Sequence, residues 1–87
     1  MHEQWTLDKA PENRNAEVVE VAGGWGVRQR VGQMGIQPGA RLRVKRAASW
    51  GGPVLVEIRG ADLALGKHLA KKIRLMDVGE EPERAGS

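Results

Sequence analysis

Residues 26–75 of the chain read GVRQRVGQMGIQPGARLRVKRAASWGGPVLVEIRGADLALGKHLAKKIRL. A short amphipathic segment, a Pro-Gly pair, two alternating apolar runs and a Gly-Gly-Pro connection follow one another with almost no spacer. That order specifies short strands joined by tight turns around one inserted helix. The whole chain has 87 residues, and a domain of this size buries only about 60 % of the surface its unfolded form exposes. There is little chain to spare for a separate catalytic layer, so the pattern predicts a small binding module.

The interior must be aliphatic. Phe and Tyr are absent, and Trp5, Trp25 and Trp50 are the only aromatic residues; a core of Val, Leu and Ile favours sheet. The absence of cysteine excludes disulfides, thiolate metal sites and thiol catalysis, and fits a reducing, cytoplasmic setting. No apolar run approaches the roughly 18 residues of a membrane span. The first fifteen residues, MHEQWTLDKAPENRN, lack the basic start and apolar centre of a signal peptide. A soluble chain that is not exported is expected.

The net charge of +3 is unevenly spread. Residues 27–75 hold eleven bases against Glu57 and Asp62, a balance of +9, while residues 1–26 and 76–87 each carry −3. A basic body between acidic ends attracts nucleic acid, anionic headgroups or an acidic protein. Outward Arg and Lys serving solubility alone is the competing explanation.

Along the chain, residues 1–15 form a lead-in whose Trp5 and Leu7 can dock on the body, residues 16–76 form the domain, and residues 77–87 a disordered tail. In AEVVEVAGG, from Ala16, Val18, Val19 and Val21 do not alternate strictly, which predicts a bulge or a strand covered on both faces. Val27, Val31 and Met34 share one helical face, with Arg28, Gln29, Arg30 and Gln33 on the others. Gly35 stands where a left-handed helix terminator is needed, Ile36 where an apolar side chain folds back on the last turn, and Pro38 blocks resumption. Pro38-Gly39 predicts a type II turn. Leu42 and Val44 alternate with Arg41, Arg43 and Lys45, and Val54, Val56 and Ile58 do the same with Glu57 and Arg59 outward, giving two half-buried strands, after which Gly60 and Asp62 mark another turn. Residues 47–53 connect them, with Trp50 at the tip. Leu63, Leu65, Leu69 and Ala70 suit one or two helical turns, and Ile73 and Leu75 a final strand. The fold class predicted is mostly β: a small, partly open β-barrel with one inserted short helix and a short C-terminal helical turn.

The ordered series Arg30-Val31, Met34-Gly35-Ile36, Pro38-Gly39, Leu42, Val44, Gly51-Gly52-Pro53, Gly60, Ala70 and Ile73 resembles the FeoA domain, over roughly residues 7–75. That family comprises the small cytosolic protein of bacterial ferrous-iron uptake, and a similar domain ends some metal-dependent transcriptional repressors. The resemblance implies an SH3-like barrel and a role beside FeoB, the permease that carries a cytosolic GTP-binding domain. With no helix-turn-helix segment, the chain resembles the free-standing form. It departs from the family pattern at Val31, where leucine is usual, and at Glu12-Asn13-Arg14-Asn15, where a glycine often opens the first strand. It departs again at Ser49-Trp50, where proline or a small residue is common.

No reactive set emerges. His2 and His68 lie far apart and outside any cluster with carboxylates, so no metal ligand set and no cofactor are expected, and His68 reads as an exposed helix residue. Ser49 has no base beside it, and Gly23-Gly24-Trp25-Gly26 lacks the Gly-Lys-Ser/Thr ending of a phosphate loop, so its glycines read as a tight turn into the helix. The candidate partner-binding residues are Arg28, Arg30, Arg41, Arg43, Lys45 and Trp50. Arg30 has the alternative role of pinning the helix to a carbonyl or carboxylate, and Trp50 that of covering its own barrel.

Two functions follow as expectations. The first is a non-enzymatic accessory protein that binds the cytosolic domain of a FeoB-type transporter and modulates its assembly or GTP-driven activity, meeting the membrane only through that transporter. The second is a basic nucleic-acid-binding barrel. The strand faces lack the aromatic platforms on which bases stack, so no stable nucleic-acid complex is expected. Self-association through an uncovered barrel edge is compatible with either.

Overall fold

The computed structural model of the chain describes residues 3–48 and 51–79. Its elements are strand β1 (Gln4–Thr6), a 3-10 turn (Leu7–Lys9), β2 (Arg14–Val21), helix α1 (Gly24–Gly32), β3 (Arg41–Arg46), β4 (Val54–Ile58), β5 (Ala61–Leu65), α2 (Lys67–Ala70) and β6 (Ile73–Gly79). The six strands make one antiparallel sheet in the order β1-β6-β2-β3-β4-β5. The sheet does not close, leaving β1 and β5 as its edges. It nevertheless wraps a single core, because Leu7 beside one edge and Leu65 on the other belong to the same buried cluster.

Alternation carries the sheet. Leu42 and Val44 on β3, and Val54, Val56 and Ile58 on β4, are buried, while Arg41 and Lys45 are exposed and Arg43 and Glu57 half-buried. On β2, Val18 opposes Leu75 and Glu20 opposes Arg74, so Val19 is the extra residue of a bulge and points to solvent. The broken alternation of the valines is this bulge. Ala16, Val18 and Val21 still reach the core on either side of it.

The helix ends as its sequence requires. The Ile36 N–H donates to the Val31 carbonyl (3.0 Å) and the Gly35 N–H to the Gly32 carbonyl (2.9 Å), with Gly35 at φ 93° and Ile36 fully buried. This pair of bonds is a Schellman motif; it satisfies carbonyls that the helix leaves open and turns the chain back over its own last turn. The predicted type II turn follows: Ala40 N–H bonds to Gln37 carbonyl (2.9 Å) across Pro38-Gly39. Gly39 and Ala40 then hydrogen-bond to Val18, each at 2.8 Å, which delivers β3 into register against β2. Asn13, at φ 63°, takes the left-handed position that opens β2; asparagine tolerates that conformation better than other side chains.

Four local expectations are corrected. Leu63 and Leu65 lie in strand β5, not in a helix, because Arg59 and Gly60 (φ 54° and 81°) form a two-residue hairpin that returns the chain antiparallel along β4. Helix α2 is one short turn beginning after Gly66. Regular structure begins before Ala16: β1 pairs with β6 through Trp5 and Leu75, β2 starts at Arg14, and Leu7 is wholly buried. Helix α1 also starts earlier than Val27, at Gly24. At the other end β6 runs to Gly79 and pairs Asp77 and Gly79 with β2, so residues 77–79 belong to the sheet and not to the expected tail. Trp50 and the segment beyond Gly79 lie outside the described residues.

Candidate interaction surface

The outward side of the sheet carries a polar ladder that the strand register builds one residue at a time. Asn15 on β2 faces Arg43 on β3, Arg43 faces Glu57 on β4, and Glu57 faces Asp62 on β5. A bulge at Lys45 and Arg46 lets the Lys45 ammonium cross over β4 to both Asp62 carboxylate oxygens, each at 3.3 Å. Arg41 Nε donates to Glu17 Oε1 at 3.4 Å, and Arg43 Nη2 to Asn13 Oδ1 at 3.5 Å. The predicted cationic row Arg41, Arg43 and Lys45 thus exists on one face, but each of its members has a local acceptor. These contacts are long and solvent-facing, so each contributes little to stability and can be exchanged for a partner's carboxylate.

Next to the row an open groove of 460 Å³ runs beside the β4–β5 hairpin. Arg41 and Arg43 line it together with Glu57 and Arg59, and Leu42 and Val78 belong to its lining too. Arg28 and Arg30 do not line this groove. They are exposed on α1, and neither makes a hydrogen bond or ion pair with the described residues, so the structure gives Arg30 no pinning contact. Trp25 on the same helix is 71 % exposed, the most exposed large apolar side chain among the described residues. It lies three residues before Arg28 and therefore on its face, opposite the inward-facing Val27 and Val31.

The other charges serve the frame. Arg14 forms an ion pair with Asp77, whose second oxygen accepts the Gly79 N–H at 2.9 Å, fixing the bulged end of the β2–β6 ladder. Glu12 accepts the Ala47 N–H at 3.0 Å. His68 is exposed on α2, and no group of three or more His, Cys, Asp or Glu converges among the described residues.

The model of the FeoA domain matches residues 5–77, from β1 into β6. The chain belongs to the FeoA domain family. It is 36 % identical over 82 residues to a protein of Methanocaldococcus jannaschii provisionally named Fe(2+) transport protein A, covering 92 % of this chain and 98 % of that one. The crystal structure of an iron uptake regulatory protein, FeoA, superposes with a TM-score of 0.78 at 28 % identity, over 87 % of this chain and 99 % of its own. A manganese-dependent transcriptional repressor matches at TM-score 0.77 and 20 % identity over 44 % of its length, a likeness of fold alone. The FeoA architecture is accordingly SH3-like, here as an open six-stranded sheet, in a family associated with ferrous-iron transport.

Two features of this FeoA chain escaped sequence reasoning. Trp25 was absorbed into a glycine turn, although a tryptophan between glycines at a helix start has no apolar neighbour to pack on. Arg59 reads in the sequence only as an outward charge before a turn at Gly60 and Asp62, whereas the turn is the Arg59-Gly60 pair itself, an X-Gly hairpin signal directly after an alternating strand. No described helix is long and apolar enough to cross a membrane.

Proposed function

We propose that this FeoA-domain chain is a non-enzymatic accessory protein of ferrous-iron uptake, working in the cytoplasm. It binds the cytosolic part of a FeoB-type transporter and modulates its assembly or its GTP-driven cycle. The observation that carries this reading is the family match, which spans the folded sheet end to end. The relative named for Fe(2+) transport is matched over nearly its whole length, which supports the same reading. The outward face supports a docking role: its cations are held by weak, exchangeable contacts, and an uncommitted tryptophan and two uncommitted arginines stand on α1. Basic surfaces of this kind speed encounter with an acidic partner and fix its orientation.

The test is a salt-controlled binding titration of the chain against the purified cytosolic GTP-binding domain of its own organism's ferrous-iron transporter, with GTP hydrolysis followed in parallel. Saturable binding that weakens as salt rises is expected, and a change in hydrolysis would give the sign of the effect. Absence of binding at low salt would overturn the reading for that domain.

A further inference from the structure

We propose that the groove beside the β4–β5 hairpin is a recognition site for an extended acidic peptide of a protein partner, with Arg59 as its anchor. This rests on the docking role given above and narrows it to one site. Arg59 occupies the first central position of a two-residue hairpin with φ 54°, where asparagine, aspartate or glycine holds the left-handed conformation with less strain. Its side chain makes no hydrogen bond or ion pair with the described residues. The arginine therefore does nothing for the turn, and strain retained at an exposed position points outward, to a ligand.

The surroundings define that ligand. Arg59 joins Arg41 and Arg43 around 460 Å³ of open groove, within the usual range of binding clefts. Three guanidinium groups are suited to planar carboxylates, which each can grip with two parallel hydrogen bonds. Leu42 and Val78 line the groove as well, and the half-buried Val78 offers an aliphatic contact to a side chain lying between two acidic ones. Glu57 also lines the groove. Its carboxylate penalises a dense polyanion such as a nucleic-acid backbone, whereas carboxylates spaced along an extended peptide can straddle it. Arg41 and Arg43 are held only at 3.4 and 3.5 Å, so both can turn to a ligand.

The probe is a fluorescein-labelled pentapeptide alternating glutamate and leucine, titrated by anisotropy at low salt, with the glutamine version as control. The Arg59→Asn variant should bind at least 5-fold more weakly while its thermal midpoint stays level or rises, and Glu57→Gln should bind more tightly. Equal affinity of Arg59→Asn and the unchanged chain would overturn the proposal, as would equal binding of the glutamine peptide. A gain in affinity in a Glu80→Gln, Glu81→Gln, Glu83→Gln variant would assign the groove to the chain's own C-terminal glutamates and overturn it too. The same variants on the transporter's GTP-binding domain separate the two readings. Domain binding indifferent to Arg59 removes the groove alone, and Arg59-dependent peptide binding without domain binding removes the transporter alone.

Discussion

Glu57 and Asp62 face each other directly across the β4–β5 ladder, two carboxylates side by side on the outward face of the sheet. Like charges in that arrangement destabilise a strand pair, and here the cations of β3 offset them: Arg43 opposes Glu57 from the other side, and Lys45 reaches Asp62. Lys45→Ala should lower stability by about 0.5 kcal/mol and Glu57→Gln should raise it by a similar amount. The loss at Lys45 should disappear in an Asp62→Asn background. Urea unfolding of the parent, Lys45→Ala, Asp62→Asn and the double variant as a double-mutant cycle reads the coupling, which high salt should erase.

Leu7 ties the N-terminal segment into the core, where it is wholly buried among residues of the sheet. Leu7→Ala should cost about 2–5 kcal/mol, a large share of the roughly 5–15 kcal/mol that holds a domain together. Equilibrium denaturation would register it as a drop in midpoint. A variant as stable as the parent would mean that the lead-in contributes nothing to the fold.

Gly35 combines a left-handed backbone with one of the two terminating hydrogen bonds of α1, the other being donated by the Ile36 N–H. The space beside it is ordinary: an added methyl would meet the Ile58 side chain at 3.5 Å. Gly35→Ala should therefore lose about 1 kcal/mol through backbone strain and little through crowding. Gly35→Asn should recover part of that loss in the same thermal melt.

Arg41 and Arg43 lie on the face assigned to the transporter. Reversing both to glutamate should weaken binding to the GTP-binding domain at low salt by tenfold or more, chiefly through slower association. Unaltered affinity at low salt would remove the electrostatic part of the docking model.

Trp25 provides the complementary apolar test. Since its side chain is mostly in water, Trp25→Ala should leave folding stability within about 0.5 kcal/mol. If the α1 face is the contact centre, the same change should cost about 2 kcal/mol of binding, or roughly 30-fold in affinity. Full affinity in the variant would confine the interface to the sheet.

The fold was legible wherever one residue type had one physical use. Gly35, Ile36 and Pro38-Gly39 could only terminate a helix and turn the chain, and the two alternating runs could only be half-buried strands. Leu63 and Leu65 misled because a leucine at every second position also fits helical spacing once a neighbouring apolar pair follows. The two left-handed residues before them decided the matter, and Arg59 gave no hint of its own conformation. The cationic row was legible as a row, but not as a set of ion pairs. Its acceptors Glu17, Asn13 and Asp62 come from other strands and from the opening of β2, so only the register brings them near.

The unequal edges of the open sheet bear on assembly. Head-to-tail growth would need β1 of one copy to pair with β5 of the next, and β1 offers only three residues. The other edge, β5, offers five residues. The shortness of β1 thus blunts one edge of the open sheet and leaves β5 as the longer of the two.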